Sequence, residues 1–326
     1  MAKTKIVFTS CVRYNKYTPQ PEWDEIAKAD PDYLFLPGDN IYMDYGILPS
    51  IRPFKYEFGN IPRFYTVAYF EEQMRKKYEE QWAVPEFARL IDKIRAKNGF
   101  FGTWDDHDFL WNNAYGASDS SLWARFCNVA EKKAISRDLF HEYMKCSTNR
   151  PEVYCHVDTP FARVIILDNR YHATSPKADN AALMGDKQME FLKAKLEHDL
   201  PYTIICGGLT LTEGGENWSK YDLEFDRFTQ LVSQKKVIYL GGDIHDNKFN
   251  SPAPHNKPPC YEIVSSGLSI NDWGLPLKLD DVRNWGTLDI DADEIIVTLR
   301  DIEGTTRYRI DSNTWDQQRL GRVFNP

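Results

Sequence analysis

The sequence contains no long apolar run and no excess of positive charge. Its most hydrophobic stretches, such as VIIL at 164–167, are far shorter than the roughly 20 residues that a membrane-spanning helix needs. The 326 residues include 40 Lys and Arg against 48 Asp and Glu, a formal net charge of −8. A protein that binds duplex nucleic acid needs a basic face. We therefore expect neither a membrane span nor duplex nucleic acid as a partner.

Several signatures of other protein classes are also missing. The sequence has no G-x-x-x-x-G-K-[ST] loop, which excludes a P-loop kinase, and no G-x-S-x-G, which argues against a serine hydrolase. Its six cysteines are scattered, without a C-x-x-C pair or a dense disulfide spacing. No apolar export signal precedes the first predicted strand in MAKTKIVFTSC. We expect a cytoplasmic protein from the sequence as given, or a periplasmic or secreted one if a signal has been removed.

Short apolar runs rich in β-branched residues alternate with segments of helical periodicity. KIVFTS, DYLFLPGD, GFFGTW, RVIILD, YTIICGG and KKVIYLGGD predict buried strands, and EWDEIAKA or GDKQMEFLKAKL predict helices between them. This alternation indicates an α/β architecture with a largely parallel sheet. The C-terminal stretch TLDIDADEIIVTLRDIEGTTRYRID instead predicts antiparallel strands that finish a sheet. The length allows two domains or one large α/β domain.

Acidic residues follow several of the predicted strands. The strand ends carry Asp39, then Asp105, Asp106 and His107, then Asp168 and Arg170, and then Asp243 and His245. Because ligands of open α/β sheets bind outside the carboxyl ends of the strands, we expect these side chains to converge in one crevice. Carboxylates brought together raise each other's pKa, and a cation relieves this repulsion. Together with a Cys, a Tyr and an Asn, they form a suitable metal-ligand set whose oxygen-rich part suits a hard cation.

Each of these motifs has a simpler explanation when it is taken alone. An acid after a strand often only caps the next helix. Cys11 is by itself more often a small buried hydrophobe than a ligand, and Asp168 and Arg170 can simply pair with each other. The coincidence of acids at four separate strand ends is what favours a metal site.

The ordered set SCVRYNK, PGDNIYMD, TWDDHDFLWNN, LDNRYH and GGDIHDNKF resembles the PhoD-like phosphatases (alkaline phosphatase D), a branch of the metallophosphoesterases. The family pattern is a Cys after the first strand, GD-x-IY-x-D, WDDHD followed by Asn, LD-x-R and GD-x-H. The match runs from about residue 6 to 250. The resemblance implies a sandwich of two mixed β-sheets flanked by helices, with antiparallel C-terminal strands. It also implies a single domain over residues 1–326, to which we add a rim or lid insertion near 44–64, a stretch rich in Pro and aromatic residues.

The resemblance assigns metal ligands residue by residue. They are Cys11 as a thiolate, Asp39 as a bridge between two ions, Tyr42 as a phenolate, Asp106 with its neighbour Asp105 as the alternative, Asn112, Asp243 and His245. A thiolate and a phenolate favour ferric iron, whereas carboxylates favour calcium. The implied cofactor is a dinuclear or trinuclear centre of Fe(III) with Ca(II), with Mn, Zn or Mg as alternatives.

The resulting hypothesis is hydrolysis of a phosphomonoester or phosphodiester, a small-molecule substrate, by in-line attack of a hydroxide held by metals at Asp39. His107 would protonate the leaving group or stabilise the transition state. Arg170 would fork onto two phosphoryl oxygens, and Arg13 and Lys248 are further candidates for binding the substrate's charge. Two alternatives stay open: hydrolysis of a non-phosphate ester, such as a sulfate or a lactone, and a catalytically silent metal-binding protein.

Three features depart from the family pattern. Members are commonly exported, often through a twin-arginine signal that this sequence does not show. The chain is short for the family, so we expect it to lack an N-terminal domain. Asn169 stands in LDNR where Thr is common. These departures bear on location and substrate more than on the metal site.

Overall fold

The computed structural model describes residues 3–14, 19–44, 61–116, 126–145, 151–253, 258–271 and 281–325. Its strands are β1 (Thr4–Phe8), β2 (Ser10–Val12), β3 (Tyr33–Pro37), β4 (Phe100–Thr103), β5 (Cys155–Asp158), β6 (Ala162–Ile166), β7 (Tyr202–Cys206), β8 (Val237–Gly241), β9 (Asn247–Asn250), β10 (Tyr261–Asn271), β11 (Asp281–Val282), β12 (Trp285–Ile290), β13 (Glu294–Asp301), β14 (Gly304–Asp311) and β15 (Gln317–Phe324). Its helices are α1 (Glu22–Lys28), α2 (Val67–Trp82), α3 (Pro85–Ala96), α4 (Asp106–Phe109), α5 (Val129–Met144), α6 (Asp186–Lys195) and α7 (Asp222–Val232), with 3₁₀ turns at Ile61–Phe64 and Trp218–Lys220.

Two mixed β-sheets form the centre of the molecule. The first has the strand order β15–β14–β13–β12–β1–β3–β4, and the second has the order β11–β10–β8–β7–β6–β5, with β2 and β9 also paired to β10. Strands β1, β3 and β4 are parallel in the first sheet, and β6, β7, β8, β10 and β2 are parallel in the second. The expected two-sheet α/β fold is therefore confirmed. The expectation of one largely parallel sheet holds only for these strands.

Apolar side chains from both sheets fill the space between them. Ile6 and Phe8 of β1 lie in one buried cluster with Ile204 and Cys206 of β7 and with Val297 of β13. Because successive strand residues point to opposite faces, alternate residues of the same strands are left to face outwards. The sheets are thus held together by a continuous apolar layer, which provides the main hydrophobic contribution between them.

Helices cover the outer face of each sheet. Val7 and Leu34 of the first sheet pack in a buried cluster with residues of α1, α2, α3 and α5. Ile205 and Tyr239 of the second sheet pack with residues of α6 and α7. The order of layers is therefore helix, sheet, sheet, helix. Burial on both faces explains why the parallel strands are apolar throughout instead of alternating.

The C-terminal strands form the antiparallel hairpins that the sequence predicts. β13 and β14 pair along their whole length, from Glu294 with Asp311 to Asp301 with Gly304. At the turn, Asp301 Oδ1 accepts hydrogen bonds from the Glu303 and Gly304 amides, each at 2.9 Å. An aspartate that binds the backbone of its own turn explains the sharp reversal in DIEGTT.

The chain passes from one sheet to the other almost at its start. β1 ends at Phe8 in the first sheet, and β2 pairs with β10 in the second. Cys11 follows the first strand, as expected, and lies within the short strand β2. This early crossing places a residue of the N-terminal segment beside the strand ends of the second sheet.

The rim or lid expected near 44–64 falls largely on residues 45–60, which lie outside the described residues. Its flanks are described. Asp44 is buried, and the 3₁₀ turn Ile61–Phe64 is tied to α5, where Lys132 Nζ donates to Pro62 O (3.1 Å) and Arg63 O (2.8 Å). The single-domain organisation stays a prediction.

Replacing Gly38 with alanine should destabilise the protein. Gly38 has a φ of +91°, and an added Cβ would lie 2.6 Å from Asp105 Cβ, because the ends of β3 and β4 touch there. We expect the free energy of unfolding of the metal-free protein to fall by about 1–3 kcal/mol in denaturant titrations. Gly215→Ala is the control, since a Cβ at that position has no heavy atom within 4 Å. Equal stabilities of the two variants would contradict the requirement for glycine at position 38.

Candidate metal centre

Asp39 lies where four kinds of ligand group meet. It follows β3 by two residues, and its Oδ2 accepts hydrogen bonds from Tyr42 OH (3.1 Å) and Cys11 Sγ (3.4 Å). His245 Nε2 lies 3.3 Å from Tyr42 OH. Cys11, Asp39 and His245 each place one ligand atom within 4.8 Å of the others. A thiol, a phenol, an imidazole and a carboxylate therefore share one pocket.

Several predicted ligands hold unusual backbone conformations. The φ angles of Cys11, Asp39, Asp243 and His245 are 58°, 51°, 73° and 54°, in the left-handed region that residues other than glycine rarely adopt. Such conformations cost about 1–3 kcal/mol each and persist where the surroundings fix the backbone. Here they turn the chain sharply at the strand ends, which aims the side chains into the crevice.

Asp106 and His107 begin helix α4 and lie beside Asp39. Each of the three offers one ligand atom within 4.8 Å of the other two. His107 Nδ1 lies 2.6 Å from Asp44 Oδ1, and the His107 ring packs on the Tyr42 ring with centroids 4.3 Å apart. The imidazole is therefore fixed from two sides, by a buried carboxylate and by an aromatic face.

A third group consists of carboxylates alone. Asp105, Asp106 and Asp243 each have one oxygen within 4.8 Å of the others. Arg170 lies against this group, with Nε donating to Asp105 Oδ1 (2.6 Å) and Nη2 at 3.7 Å from Asp106 Oδ1. An oxygen-only group of this kind suits a hard cation such as Ca²⁺ or Mg²⁺.

The Arg170 guanidinium is already engaged at all three of its nitrogens. Besides the bond to Asp105, Nη1 donates to Ala114 O (3.2 Å) and Nη2 donates to Glu216 Oε2 (3.0 Å). The side chain is only 3% exposed. In these contacts the Arg170 guanidinium offsets the negative charge of Asp105 and Glu216. That Arg170 also binds phosphoryl oxygens of a substrate stays a prediction.

Three buried carboxylate oxygens make no hydrogen bond within the described part of the chain. They are Asp39 Oδ1, Asp105 Oδ2 and Asp106 Oδ1. A buried charged oxygen without a partner is costly, whereas a bound cation would satisfy it. The residues present therefore fit a metal centre.

The ionisation of the site also fits a metal centre. Burial raises the pKa of Asp39 and of Asp243 well above the usual range, and neighbouring aspartates add to this effect. Burial likewise raises the pKa of the Cys11 thiol and the Tyr42 phenol, and the charge of Asp39 raises both further. Metal ligands must lose these protons, so metal binding is expected to release protons and to weaken at low pH.

The carboxylates around His107 favour its charged form in the metal-free site. Burial lowers its pKa, but the carboxylates of Asp44, Asp106 and Asp39 outweigh burial and raise the pKa well above the usual value. The charges of His107 and Arg170 in turn outweigh the effect of burial on Asp106 and lower the pKa of that carboxyl. The pKa of Asp106 is therefore lowered, whereas the pKa of the adjacent Asp105 is raised.

Three further residues were predicted for the site: Asn112, Arg13 and Lys248. Asn112 N donates to Asp44 Oδ2 (3.1 Å), which places Asn112 next to the His107 partner. Arg13 is 7% exposed. Its charge offsets a small part of the rise in the pKa of Tyr42, which places Arg13 within electrostatic range of that phenol. Lys248 lies on β9 and pairs with Asp246 Oδ2 at 2.6 Å.

Two acids at the site had no role in the sequence-based hypothesis. Asp44 is the last residue of the GD-x-IY-x-D motif, so the motif itself was the signal that could have found it. Glu216 lies in the loop TEGGEN after β7, and nothing in that loop distinguishes it from Glu213. The spatial proximity of Glu216 to Arg170 is visible only in the structure.

The molecule is thus a sandwich of two mixed sheets with a carboxylate-rich candidate metal site at its strand ends. The family model of the PhoD-like phosphatases matches residues 6–316, and the chain belongs to that family.

The fold is shared with a solved structure. A structure described as PhoD is similar with a TM-score of 0.67 and 16% sequence identity, over 99% of this chain and 72% of that chain. GAP50, the anchor in the inner membrane complex of Plasmodium, has a TM-score of 0.43 and 12% identity, over 99% of this chain and 90% of that chain. No curated protein sequence matches this chain significantly.

The family and the site together support a metal-dependent phosphoesterase that acts on a small-molecule substrate. Among the described residues, no helix combines the length and the apolar character that crossing a bilayer requires.

The stability of the metal-free protein should fall as the pH rises through 6 to 7. Burial raises the pKa of Asp105 to about 6 and that of Asp108 to about 7, so the folded state binds more protons there than the unfolded state. Its free energy of unfolding then decreases with rising pH. Buried Glu224 and Glu262 also have raised pKa values, but they lie outside the three ligand groups.

Thermal unfolding across this pH range, with and without added metal, measures the effect. Metal should remove the part of the pH dependence that belongs to the site. It should leave the part from the two glutamates and the opposite contribution of His172 and His198, whose pKa values are lowered by burial. A metal-free protein that gains stability as the pH rises would contradict the assignment.

Proposed function

We propose that this protein hydrolyses phosphate esters, diesters and monoesters, by in-line attack of water at the site around Asp39. The observation that carries the proposal is the set of three buried carboxylate oxygens, on Asp39, Asp105 and Asp106, that accept no hydrogen bond from the described residues. They lie at the strand ends of a chain that belongs to a phosphatase family. Carboxylates left in this state are suited to hold cations against an anionic substrate.

The proposed metal ligands divide into two chemical types. They are Cys11, Asp39, Tyr42, Asp105, Asp106, Asn112, Asp243 and His245. The thiolate, phenolate and imidazole around Asp39 suit iron, and the oxygen ligands around Asp106 suit calcium, so we propose Fe(III) with Ca(II). When bound, these ions would lower the pKa of a water molecule and neutralise charge on the phosphoryl oxygens.

His107 is the proposed proton donor to the leaving oxygen. Asp44 holds its Nδ1 at 2.6 Å, and the Tyr42 ring supports the imidazole from one face. With Nδ1 occupied, Nε2 is the nitrogen that can exchange a proton with the leaving group. A positioned proton donor of this kind contributes roughly 10²–10⁴-fold to a reaction rate.

Two arginines are proposed to bind the charge of the substrate. Arg13 lies within electrostatic range of Tyr42, and Arg170 reaches Asp105 and Glu216. The three hydrogen bonds of Arg170 use three of the five N–H donors that a guanidinium has, so a phosphoryl oxygen would take a remaining donor or replace one of the three acceptors. Glu216, which is 30% exposed, is the acceptor most open to replacement.

Asp39→Asn should abolish hydrolysis and reduce bound metal. The substitution removes the negative charge of Asp39 from the two ligand groups that contain it, Cys11–Asp39–His245 and Asp39–Asp106–His107. We expect the loss of turnover to exceed the roughly 10–100-fold typical of losing an outer-sphere partner. Bis-p-nitrophenyl phosphate and p-nitrophenyl phosphate, with iron and calcium supplied, measure turnover, and elemental analysis measures metal content.

Asp32→Asn is the matched control for Asp39→Asn. Asp32 lies before β3, at the opposite end of that strand, and its Oδ2 accepts a hydrogen bond from Lys5 N at 2.8 Å. Full turnover by Asp39→Asn would refute the proposed centre. A folded, metal-loaded wild type that cleaves neither ester would favour a non-phosphate ester or a silent metal-binding protein.

Asp44→Asn should lower turnover by about 10–100-fold, because Asp44 acts through His107. Metal content should stay unchanged, because the asparagine oxygen still accepts a hydrogen bond from Asn112 N. A double-mutant cycle with His107→Gln tests this dependence. We expect Asp44→Asn to have little further effect on kcat once His107 is replaced. Fully additive losses, or a loss of metal in Asp44→Asn, would show that Asp44 does not work by orienting His107.

A further inference from the structure

Glu216 covers the solvent-facing side of Arg170. Its Oε2 accepts a hydrogen bond from Nη2 at 3.0 Å, and its side chain is 30% exposed. The other acids beside this guanidinium, Asp105 and Asp106, have side chains that are 0% and 3% exposed. An anion that approaches Arg170 from solvent therefore meets the Glu216 carboxylate first.

The loop that carries Glu216 is fixed independently of Arg170. Thr210 and Asn217, on either side of it, form a parallel β-bridge, and Trp218 N donates to Thr210 O at 2.9 Å. Within the loop, Thr210 Oγ1 donates to Glu213 O at 2.6 Å. Trp218 is fully buried, which anchors the end of the loop in the core. These loop contacts do not involve Arg170, so the backbone holds Glu216 near Arg170 without help from the attraction between the two charges.

The charges around Arg170 do not cancel. One guanidinium donates to two carboxylates, those of Asp105 and Glu216. Asp105 is also a proposed metal ligand, whereas Glu216 belongs to none of the three ligand groups, so its negative charge is the one that a bound cation does not directly offset. The second phosphate pKa is about 6, so a phosphomonoester is a dianion at neutral or alkaline pH. A phosphodiester carries a single charge. Repulsion from a fixed carboxylate therefore weighs more heavily on the monoester than on the diester.

We propose that Glu216 is a specificity-determining residue, a fixed anion that disfavours dianionic phosphomonoesters relative to monoanionic phosphodiesters. The inference rests on the proposed hydrolysis of phosphate esters at this site. It assigns to Glu216 neither metal binding nor proton transfer. Its effect is on which charge state of the substrate can approach Arg170.

Glu216→Gln isolates the charge from the hydrogen bond. The glutamine amide oxygen still accepts from Arg170 Nη2, so the guanidinium keeps its position, but the negative charge is gone. We expect the ratio of kcat/KM for p-nitrophenyl phosphate to that for bis-p-nitrophenyl phosphate to rise on the order of tenfold. Binding of inorganic phosphate to the metal-loaded protein, measured by calorimetry at alkaline pH, should tighten by a similar factor.

Glu213→Gln is the matched control. Glu213 lies in the same loop, but its Oε1 accepts from Asn250 Nδ2 at 3.1 Å and not from Arg170. This variant removes the same charge from the loop and should leave both the ratio and the phosphate affinity unchanged. An equal response of the two variants would overturn the proposal, because the effect would then belong to the net charge of the loop.

The remaining outcomes separate the proposal from the function on which it rests. If Glu216→Gln lowers both rates in parallel and leaves phosphate affinity unchanged, Glu216 only positions Arg170 and the proposal is wrong. If the wild type cleaves neither ester but Glu216→Gln binds phosphate more tightly, the proposed hydrolysis fails while the charge selection stands.

Discussion

Carboxylates buried together in one crevice must be neutralised, and much of the structure around Asp39 serves that requirement. Asp39, Asp105 and Asp106 are buried and Asp243 is partly buried, and desolvation together with mutual repulsion raises the pKa values of Asp39, Asp105 and Asp243. The charges of Arg170 and His107 offset part of this repulsion, chiefly at Asp105 and Asp106. Three oxygens of these aspartates accept no hydrogen bond from the described residues, and the proposed cations would contribute there.

The same requirement sets the backbone at the strand ends. Side chains from different strands reach one point only if the strands approach closely and then turn at once. At Gly208 an added Cβ would lie 2.6 Å from Asp105 Oδ1, and at Gly242 it would lie 2.4 Å from Pro37 O. Asp39 and Asp243 then adopt left-handed conformations directly after the glycines that end their strands. Stability is given up at these positions to bring the ligands together, which is common at functional sites.

Much of this arrangement could be predicted from the sequence, because strand ends and acidic motifs are local features. The alternation of apolar runs and helical segments predicted the layers, and the ordered motifs predicted the family. What could not be predicted depends on contacts between distant segments. The crossing of the chain that places Cys11 in β2 depends on its pairing with β10, some 255 residues further along the chain. The contact between Glu216 and Arg170 likewise joins two loops that no periodicity relates.

The sequence alone does not distinguish aspartates proposed to bind metal from aspartates that hold the surrounding loops in place through hydrogen bonds. Asp168 Oδ1 accepts hydrogen bonds from Trp104 Nε1 (2.7 Å) and from the Arg170 and Tyr171 amides (2.9 Å each), which leaves it a structural anchor for the Arg170 loop. Asp108 is similar, since both of its oxygens accept: Oδ1 from the Asp105 amide (2.6 Å), and Oδ2 from the Asn40 amide (3.0 Å) and Nδ2 (2.6 Å).

Asp39 and Asp106, two acids that we propose to bind metal, each accept hydrogen bonds from the described residues at only one of their two carboxylate oxygens. Asp39 uses Oδ2 for Cys11 and Tyr42, and Asp106 uses Oδ2 for the Asn113 amide at 2.5 Å, while Oδ1 of each has no hydrogen bond within the described residues. One oxygen thus fixes the carboxylate and the other is left for a ligand. Because the N–H donors that decide between these states come from neighbouring loops and strands, an aspartate in WDDHD carries no local mark of its role. The different hydrogen bonding of these acids is a property of the fold, and the crowding of acids in the motif fits two tasks, holding the site in shape and the proposed binding of cations.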